Sequence, residues 1–349
     1  MEYGSNYPLE LLTPVKSNFD ISSQFNKSNI YYMVNGRSAI RALVKELNKF
    51  KKVYLPNYLC EDVYQAFNGK KREFYTLSNM FEYQSGLDGI CGERFILYIS
   101  NYFGLSNEHK LFKLIEKLKK NNEVFVIYDV THNLYSVKSN INIDTYVGSL
   151  RKWMPIADGA ILATNLKIKI LNHSLDSNSV QKFITASYLK GIYINHDVPP
   201  FDNNIYRSRF IEVEQKVGSI FKPFKMSNES IITYNMFNHD DMIKRRDNYN
   251  TLLKLLHNKH INPIFNQEQE TTIPFCFPIL CKQRDKLRDY LIKHKVYCAI
   301  HWKQDFLINS NNYNPINEHI LSIPIDQRHS KSDMVELANI LNQYGGLDV

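Results

Sequence analysis

From residue 30 onward, apolar runs of strand length alternate with segments of helical period. Segment 38–47 (SAIRALVKEL) places Ile40, Leu43, Val44 and Leu47 on one face. A short strand follows at 52–55, then a helix at 61–67 and a strand at 72–77. Segment 95–100 (FILYIS) is continuously apolar, as a strand covered on both faces requires. Leu111, Phe112, Ile115 and Leu118 mark another amphipathic helix. Segment 123–130 (EVFVIYDV) is the strongest strand signal in the chain, and short strands follow at 146–150 and 159–163. This rhythm predicts an α/β domain with a large, mostly parallel sheet.

Beyond about residue 170 long polar helical stretches dominate, including 206–220 and 227–256. Strands at 272–280, 296–300 and 320–323, with helices at 283–294 and 332–344, predict a smaller C-terminal α+β domain. The expected division is an N-terminal arm (1–29), a large domain (30–230) and a small domain (231–349), the boundary falling in the helical region near 220–240.

Composition narrows the class. Hydrophobic residues make up 44% and charged residues 22% of the 349, enough apolar material for a sizeable core. Forty-three basic against 35 acidic residues give +8, which suits an anionic ligand; without a clustered stripe, nucleic acid is not expected. The five cysteines have no C-x-x-C spacing, so neither a disulfide framework nor a zinc ribbon is expected. No His pair has H-E-x-x-H spacing, and no metal site is expected. The first 29 residues are polar and broken by Pro8 and Pro14, and no apolar run is long enough to span a bilayer. A soluble, cytoplasmic protein is the expectation.

In a parallel sheet, ligands bind beyond the carboxyl ends of the strands. Strand 123–128 is followed by Asp129, Val130, Thr131 and His132. Asp129 either caps the next turn or answers a buried partner. Strand 146–150 is followed by Arg151 and Lys152, the latter either solvated or a desolvated nucleophile suited to a Schiff base. Before helix 38–47 stands Asn35-Gly36-Arg37-Ser38, a turn that can offer free N–H groups to a phosphate. Ser149 to Lys152 also reads as S-x-x-K, but the K-T-G companion is absent. Arg245 and Arg246 could contact a phosphate but, within a long helix, read rather as surface or subunit contacts, and His301 and Trp302 read as packing residues. A phosphate cradle, an Asp at one strand end and a Lys at a later one form the set that pyridoxal 5'-phosphate (PLP) needs.

Eight segments, in order along nearly the whole chain, resemble motifs of the DegT/DnrJ/EryC1/StrS family of PLP-dependent sugar aminotransferases. They are NGRSAIRAL (35–43), VYLPNYLC (53–60), SNYFG (100–104), YDVTH (128–132), GSLRKWMPIADGA (148–160), FKMS (224–227), KRRDNYNTLL (244–253) and LSIPI (321–325). The resemblance implies the aspartate-aminotransferase-like fold, PLP-dependent fold type I, with its site at a homodimer interface. It implies that Lys152 holds PLP and moves the proton, that Asp129 pairs with the pyridinium nitrogen and that His132 meets the phenolic oxygen. Gly36, Arg37, Ser38 and Ser149 would hold the phosphate, and Tyr58 or Cys60 would lie over the ring. The implied reaction is amino transfer, with glutamate as donor, to a nucleotide-linked keto sugar for amino-sugar or surface-polysaccharide biosynthesis.

The chain departs from the family in three places. Ser149 stands three residues before the lysine where the family spaces its serine at five, the stretch before Lys152 is shorter than in the family, and the glycine pair after it is Gly159-Ala160. These departures motivate two alternatives: an inactive relative that binds a sugar nucleotide or a protein partner, and a PLP enzyme of another reaction type.

Overall fold

The computed structural model describes residues 2–9, 19–196 and 200–345. Residues 1 and 10–18 of the expected arm, 197–199 of the expected large domain and 346–349 of the expected small domain lie outside the described residues.

The strands are β1 (Tyr3–Gly4), β2 (Asn29–Met33), β3 (Lys52–Pro56), β4 (Lys71–Leu77), β5 (Tyr83–Ser85), β6 (Arg94–Ser100), β7 (Glu123–Asp129), β8 (Thr145–Ser149), β9 (Ala160–Thr164), β10 (Asn262–Pro263), β11 (Phe277–Leu280), β12 (Val296–Tyr297) and β13 (Ile320–Ile323). The helices are α1 (Gly36–Glu46), α2 (Glu61–Ala66), α3 (His109–Asn121), α4 (Ser177–Asn195), α5 (Asn204–Gly218), α6 (Asn228–Met236), α7 (Ile243–Leu255), α8 (Arg284–Lys293) and α9 (Lys331–Asn342).

Eight strands form one sheet in the order β2-β9-β8-β7-β6-β3-β4-β5. Its centre, β4-β3-β6-β7-β8, is parallel throughout. Antiparallel β9 and β2 close one side and β5 the other. Phe95, Ile96, Leu97, Tyr98 and Ile99 of β6 are all buried, because helices and loops cover both faces of the sheet. One face carries Leu97, Tyr128, Tyr146 and Ile99; the other carries Ile96, Tyr98, Ile127 and Val147 against α1. The alternation of side chains along each strand sorts the two sets. The observed architecture is the expected α/β type.

The C-terminal part has a three-stranded antiparallel sheet, β10-β11-β13, packed on α7, α8 and α9 through Leu252, Leu287, Leu291, Leu337 and Leu341. Tyr3 of β1 pairs with β12 and joins this core.

Some elements differ from expectation. The stretch 227–256 is two helices, because Phe237 adopts extended backbone and Asn238 caps a short 3-10 turn through Asp240 N. Buried Phe237 fixes that break with no Gly or Pro to signal it. Helix α4 was not distinguished within the polar region; its apolar residues do not keep to one stripe, and Ser187 and Lys190 are buried while Ile184 and Tyr188 are exposed. The strand expected at 272–280 is confined to Phe277–Leu280. No helix among the described residues is long and apolar enough to cross a membrane.

Candidate active site

Four parallel strands end at one place. Ser100 closes β6, Asp129 closes β7 and Ser149 closes β8, while Tyr58 follows β3 by two residues. Together with the start of α1 they border a cavity of about 850 Å³, its outer part continuous with solvent. Gly36, Arg37, Tyr58, Cys60, Asp129, His132, Ser149 and Lys152 all line it, as do Tyr98, Thr131 and Trp302.

The N-terminus of α1 is built by Asn35. It stands in extended backbone just before the first helical turn, and its Oδ1 accepts from Ser38 N at 2.7 Å. Its Nδ2 donates to the carbonyls of Val217 (2.7 Å) and Ile220 (3.1 Å), which ties α1 to the end of α5. Helix geometry leaves the N–H groups of Gly36 and Arg37 without an intrahelical acceptor. A Cβ on Gly36 would meet nothing within 4 Å, so the backbone there faces open space. The Arg37 guanidinium turns to Asp62, to Gly218 O (2.6 Å) and over the Phe221 ring, leaving its buried Nε unpartnered.

Ser38 corrects the expected phosphate set. It is fully buried and does not border the cavity; its N–H is taken by Asn35 Oδ1 and its hydroxyl donates to Asn35 O at 3.0 Å. It serves the cap.

Asp129 is held from two sides. Its Oδ1 accepts from Thr131 N at 2.8 Å and its Oδ2 from the Tyr98 hydroxyl. Thr131 also accepts through Oγ1 from Ser149 N (3.1 Å), and its carbonyl accepts from Trp153 Nε1 (2.7 Å). One residue thus fixes the ends of β7 and β8 relative to each other.

Lys152 is the last residue of the 3-10 turn Leu150–Lys152 that leads from β8 toward antiparallel β9. Its neighbour Arg151 pairs with Glu214 at 2.6 Å. Lys152 makes no ion pair among the described residues; its Nζ lies 5.8 Å from the centre of the Trp302 ring.

His132 is 2% exposed. Its ring lies between Phe275 (4.3 Å, 7°) and Trp302 (5.0 Å, 16°). Phe103 N donates to its Nδ1 at 3.4 Å, which places the proton on Nε2. That Nε2 has no partner among the described residues. Burial, then the nearby His301 and Lys152, hold its pKa well below the ordinary range, so the ring is neutral. The backbone under it needs glycine: Gly104 has φ +78°, and a Cβ there would come within 2.9 Å of His132 O.

Tyr58 is fully buried, and its hydroxyl donates to His301 O, so it contributes its ring rather than its hydroxyl. Cys60 is half-buried; burial pushes its thiol up, against the lowering effect of Lys152. Asp158, from the segment after the lysine, is a structural anchor: it accepts from Ser227 N (2.9 Å), Ser227 Oγ (2.5 Å) and Ser230 Oγ (2.7 Å) at the start of α6. Gly159 has φ +144°, a backbone conformation in which a side chain is strained.

Tyr98 and Thr131 were not singled out for the site from the sequence, and Trp302 reads as a packing residue. Tyr98 sits inside an apolar strand and reads as core, Thr131 reads as a turn residue, and Trp302 reaches the cavity from the C-terminal part.

No family model and no curated protein matches the sequence. Solved structures do match the fold. The chain superposes on PseC of Helicobacter pylori, an aminotransferase involved in the biosynthesis of pseudoaminic acid, over 98% of each chain (TM-score 0.62, 14% identity). It superposes on a DegT DnrJ EryC1 StrS aminotransferase from Brucella abortus over 92% of this chain and 87% of that one (TM-score 0.55, 13% identity). DesV of S. venezuelae, solved with a ketimine intermediate, covers 93% and 86% (TM-score 0.57, 11% identity). The fold is that of the PLP-dependent transferases of fold type I. Lys152, Asp129 and the α1 N-terminus surround a cavity at the carboxyl edge of its sheet, where α/β folds take their ligands.

Proposed function

We propose that the chain is a PLP-dependent aminotransferase acting on a nucleotide-linked keto sugar, with glutamate as amino donor and a homodimer as working unit. One observation carries the reading: an unpaired lysine, a carboxylate and a buried, unpartnered imidazole N–H border the same cavity beside a helix N-terminus. That donor set fits PLP. Lys152 suits its aldehyde, Asp129 its ring nitrogen, His132 Nε2–H its phenolic oxygen, and the Gly36 and Arg37 N–H groups with Ser149 its phosphate. Bound there, the cofactor supplies an aldehyde that condenses with amines and a ring that takes up the electron pair left when a proton departs.

The remaining work falls to the chain. Lys152 would hold the cofactor's aldehyde, and its Nζ, once a free amine, would take up and give back the proton that amino transfer moves. Asp129, steadied by Tyr98 and Thr131, would keep the cofactor's ring nitrogen protonated. Neutral His132 donates from Nε2 without competing for a proton. Trp302, Phe275 and Tyr58 wall off water from the reacting atoms. The likeness to PseC, involved in pseudoaminic acid biosynthesis, supports a place in amino-sugar formation for surface polysaccharide.

The test is the absorbance of the purified protein with added PLP, beside Lys152→Ala. A visible band that borohydride removes, present in the wild type and absent from the variant, supports the proposal. A wild-type protein without the band refutes it and favours a retired scaffold that binds a sugar nucleotide or a partner.

A further inference from the structure

Lys152 and His132 border the cavity, and each rests on a neighbour that does not border it. Lys152 precedes Trp153, which is fully buried. The Trp153 N–H donates to Leu150 O at 2.9 Å and closes the 3-10 turn that carries the lysine. His132 stacks on Phe275 of the C-terminal part at 4.3 Å and 7°. The Trp153 and Phe275 rings meet edge to face, 5.2 Å apart.

Both neighbours are held by one group, the guanidinium of Arg245 on α7. Its Cζ lies 4.5 Å from the centre of the Trp153 ring and 5.8 Å from that of Phe275. Its Nη1 donates to Phe275 O at 2.7 Å. Its Nε donates to Gln327 Oε1 at 2.9 Å, and Gln327 Nε2 donates to Trp153 O at 3.1 Å. The ring and the carbonyl of each residue are thus tied to a single side chain. Nη2 donates to the Tyr7 hydroxyl at 2.9 Å and adds the N-terminal residues to the same node. Arg245 is 2% exposed and does not border the cavity. A buried charge is costly unless it is hydrogen-bonded, and here all three nitrogens donate. The rigid, planar fork of a guanidinium holds several acceptors in fixed relative positions, which an ammonium on a flexible stem does not.

We propose that Arg245 is a positioning residue of the active site: it sets Lys152 through Trp153 and His132 through Phe275, so that both meet one cofactor in register. This rests on the reading of the cavity as a PLP site.

The experiment is a pH titration of the visible band of the PLP-loaded protein, with the thermal midpoint of the same samples. A donor at the phenolic oxygen draws off its negative charge, which weakens the hold on a proton at the neighbouring nitrogen and lowers the band's pH midpoint. Arg245→Met releases Phe275 and Trp153, and the midpoint rises by about one pH unit, as loss of a hydrogen bond to a charged atom implies. Arg245→Lys keeps the cation without the fork and moves the midpoint less far in the same direction; it is the variant to read where Arg245→Met does not fold. Lys190→Met, on a nearby buried cation, lowers the thermal midpoint and leaves the band's pH midpoint in place. A wild-type pH midpoint in every Arg245 variant that folds, or an equal rise in Lys190→Met, overturns the proposal and leaves the cofactor reading standing. A wild-type protein without the band overturns both, so the wild-type spectrum tells the two failures apart.

Discussion

Lys152 and Lys190 are both drawn into the protein, and their surroundings treat them in opposite ways. Lys190, 1% exposed, pairs with Glu2 at 2.8 Å and donates to the carbonyl of Asn6. Around it Arg328 forks onto Asp326 (2.6 and 2.9 Å) and reaches Gly4 O and Asn6 O. Arg245, 2% exposed, spends its donors on Gln327, Phe275 O and Tyr7 and lies over the Trp153 ring. This region clamps the N-terminal residues through Lys190, Arg328 and Arg245, although both ring nitrogens of buried His329, beside Asp326, lack a hydrogen-bond partner among the described residues. At the cavity, among the described residues, Lys152 has no carboxylate and His132 Nε2 has no acceptor. Buried polar groups are almost always satisfied within a fold. Left open around a cavity, they are free to meet a ligand.

The contrast can be broken or sharpened by substitution. The largest effect falls on Lys152→Ala, which abolishes the glutamate-driven change in the spectrum of bound PLP while the urea midpoint stays near that of the wild type. Asp129→Asn retains cofactor and slows the same change by roughly 10²–10⁴-fold, read by stopped flow. Lys190→Met inverts the pattern: removing one partner strands buried Glu2 and lowers unfolding free energy by about 3–5 kcal/mol, with the PLP affinity little changed.

Lys190 also sets a pH dependence. Burial, then Arg328, lowers its pKa to about 8 against the partial support of Glu2. Between pH 8 and 10 the folded chain has released a proton that the unfolded chain keeps, so stability rises with pH in that window. The rise is missing in Lys190→Met. Above pH 10 the trend reverses, because burial holds the hydroxyls of Tyr98, Tyr102 and Tyr128 protonated in the folded state while the unfolded chain ionises. Urea titrations across pH 7–11 check both slopes.

The smallest effect separates two serines. Ser149→Ala weakens PLP binding by about 0.5–1.5 kcal/mol, the worth of one hydrogen bond, and Ser38→Ala leaves it unchanged while lowering stability slightly, because only its hydroxyl's bond to Asn35 O is lost and the backbone N–H still serves the α1 cap.

The large sheet was legible because strands buried on both faces leave continuous apolar runs, as in β6 and β7. Lys152 and Asp129 were legible because each follows such a run, where parallel sheets place their ligands, and because the segments around them resemble a known family. What could not be read depends on distant pairings. Tyr98 looks like core until Asp129 is seen to take its hydroxyl. Trp302 reaches His132 only once the C-terminal part is packed against the sheet. Arg245, expected at the surface of a polar helix, is buried because Tyr7, Gln327 and Phe275 O, from three other segments, converge on it. The break between α6 and α7 has no Gly or Pro to announce it.

Borohydride reduction of the PLP-loaded protein, followed by peptide mapping, tests the central claim most directly. The account predicts one phosphopyridoxyl group per chain, on the peptide that contains Lys152. An adduct spread over surface lysines, or none, would contradict it.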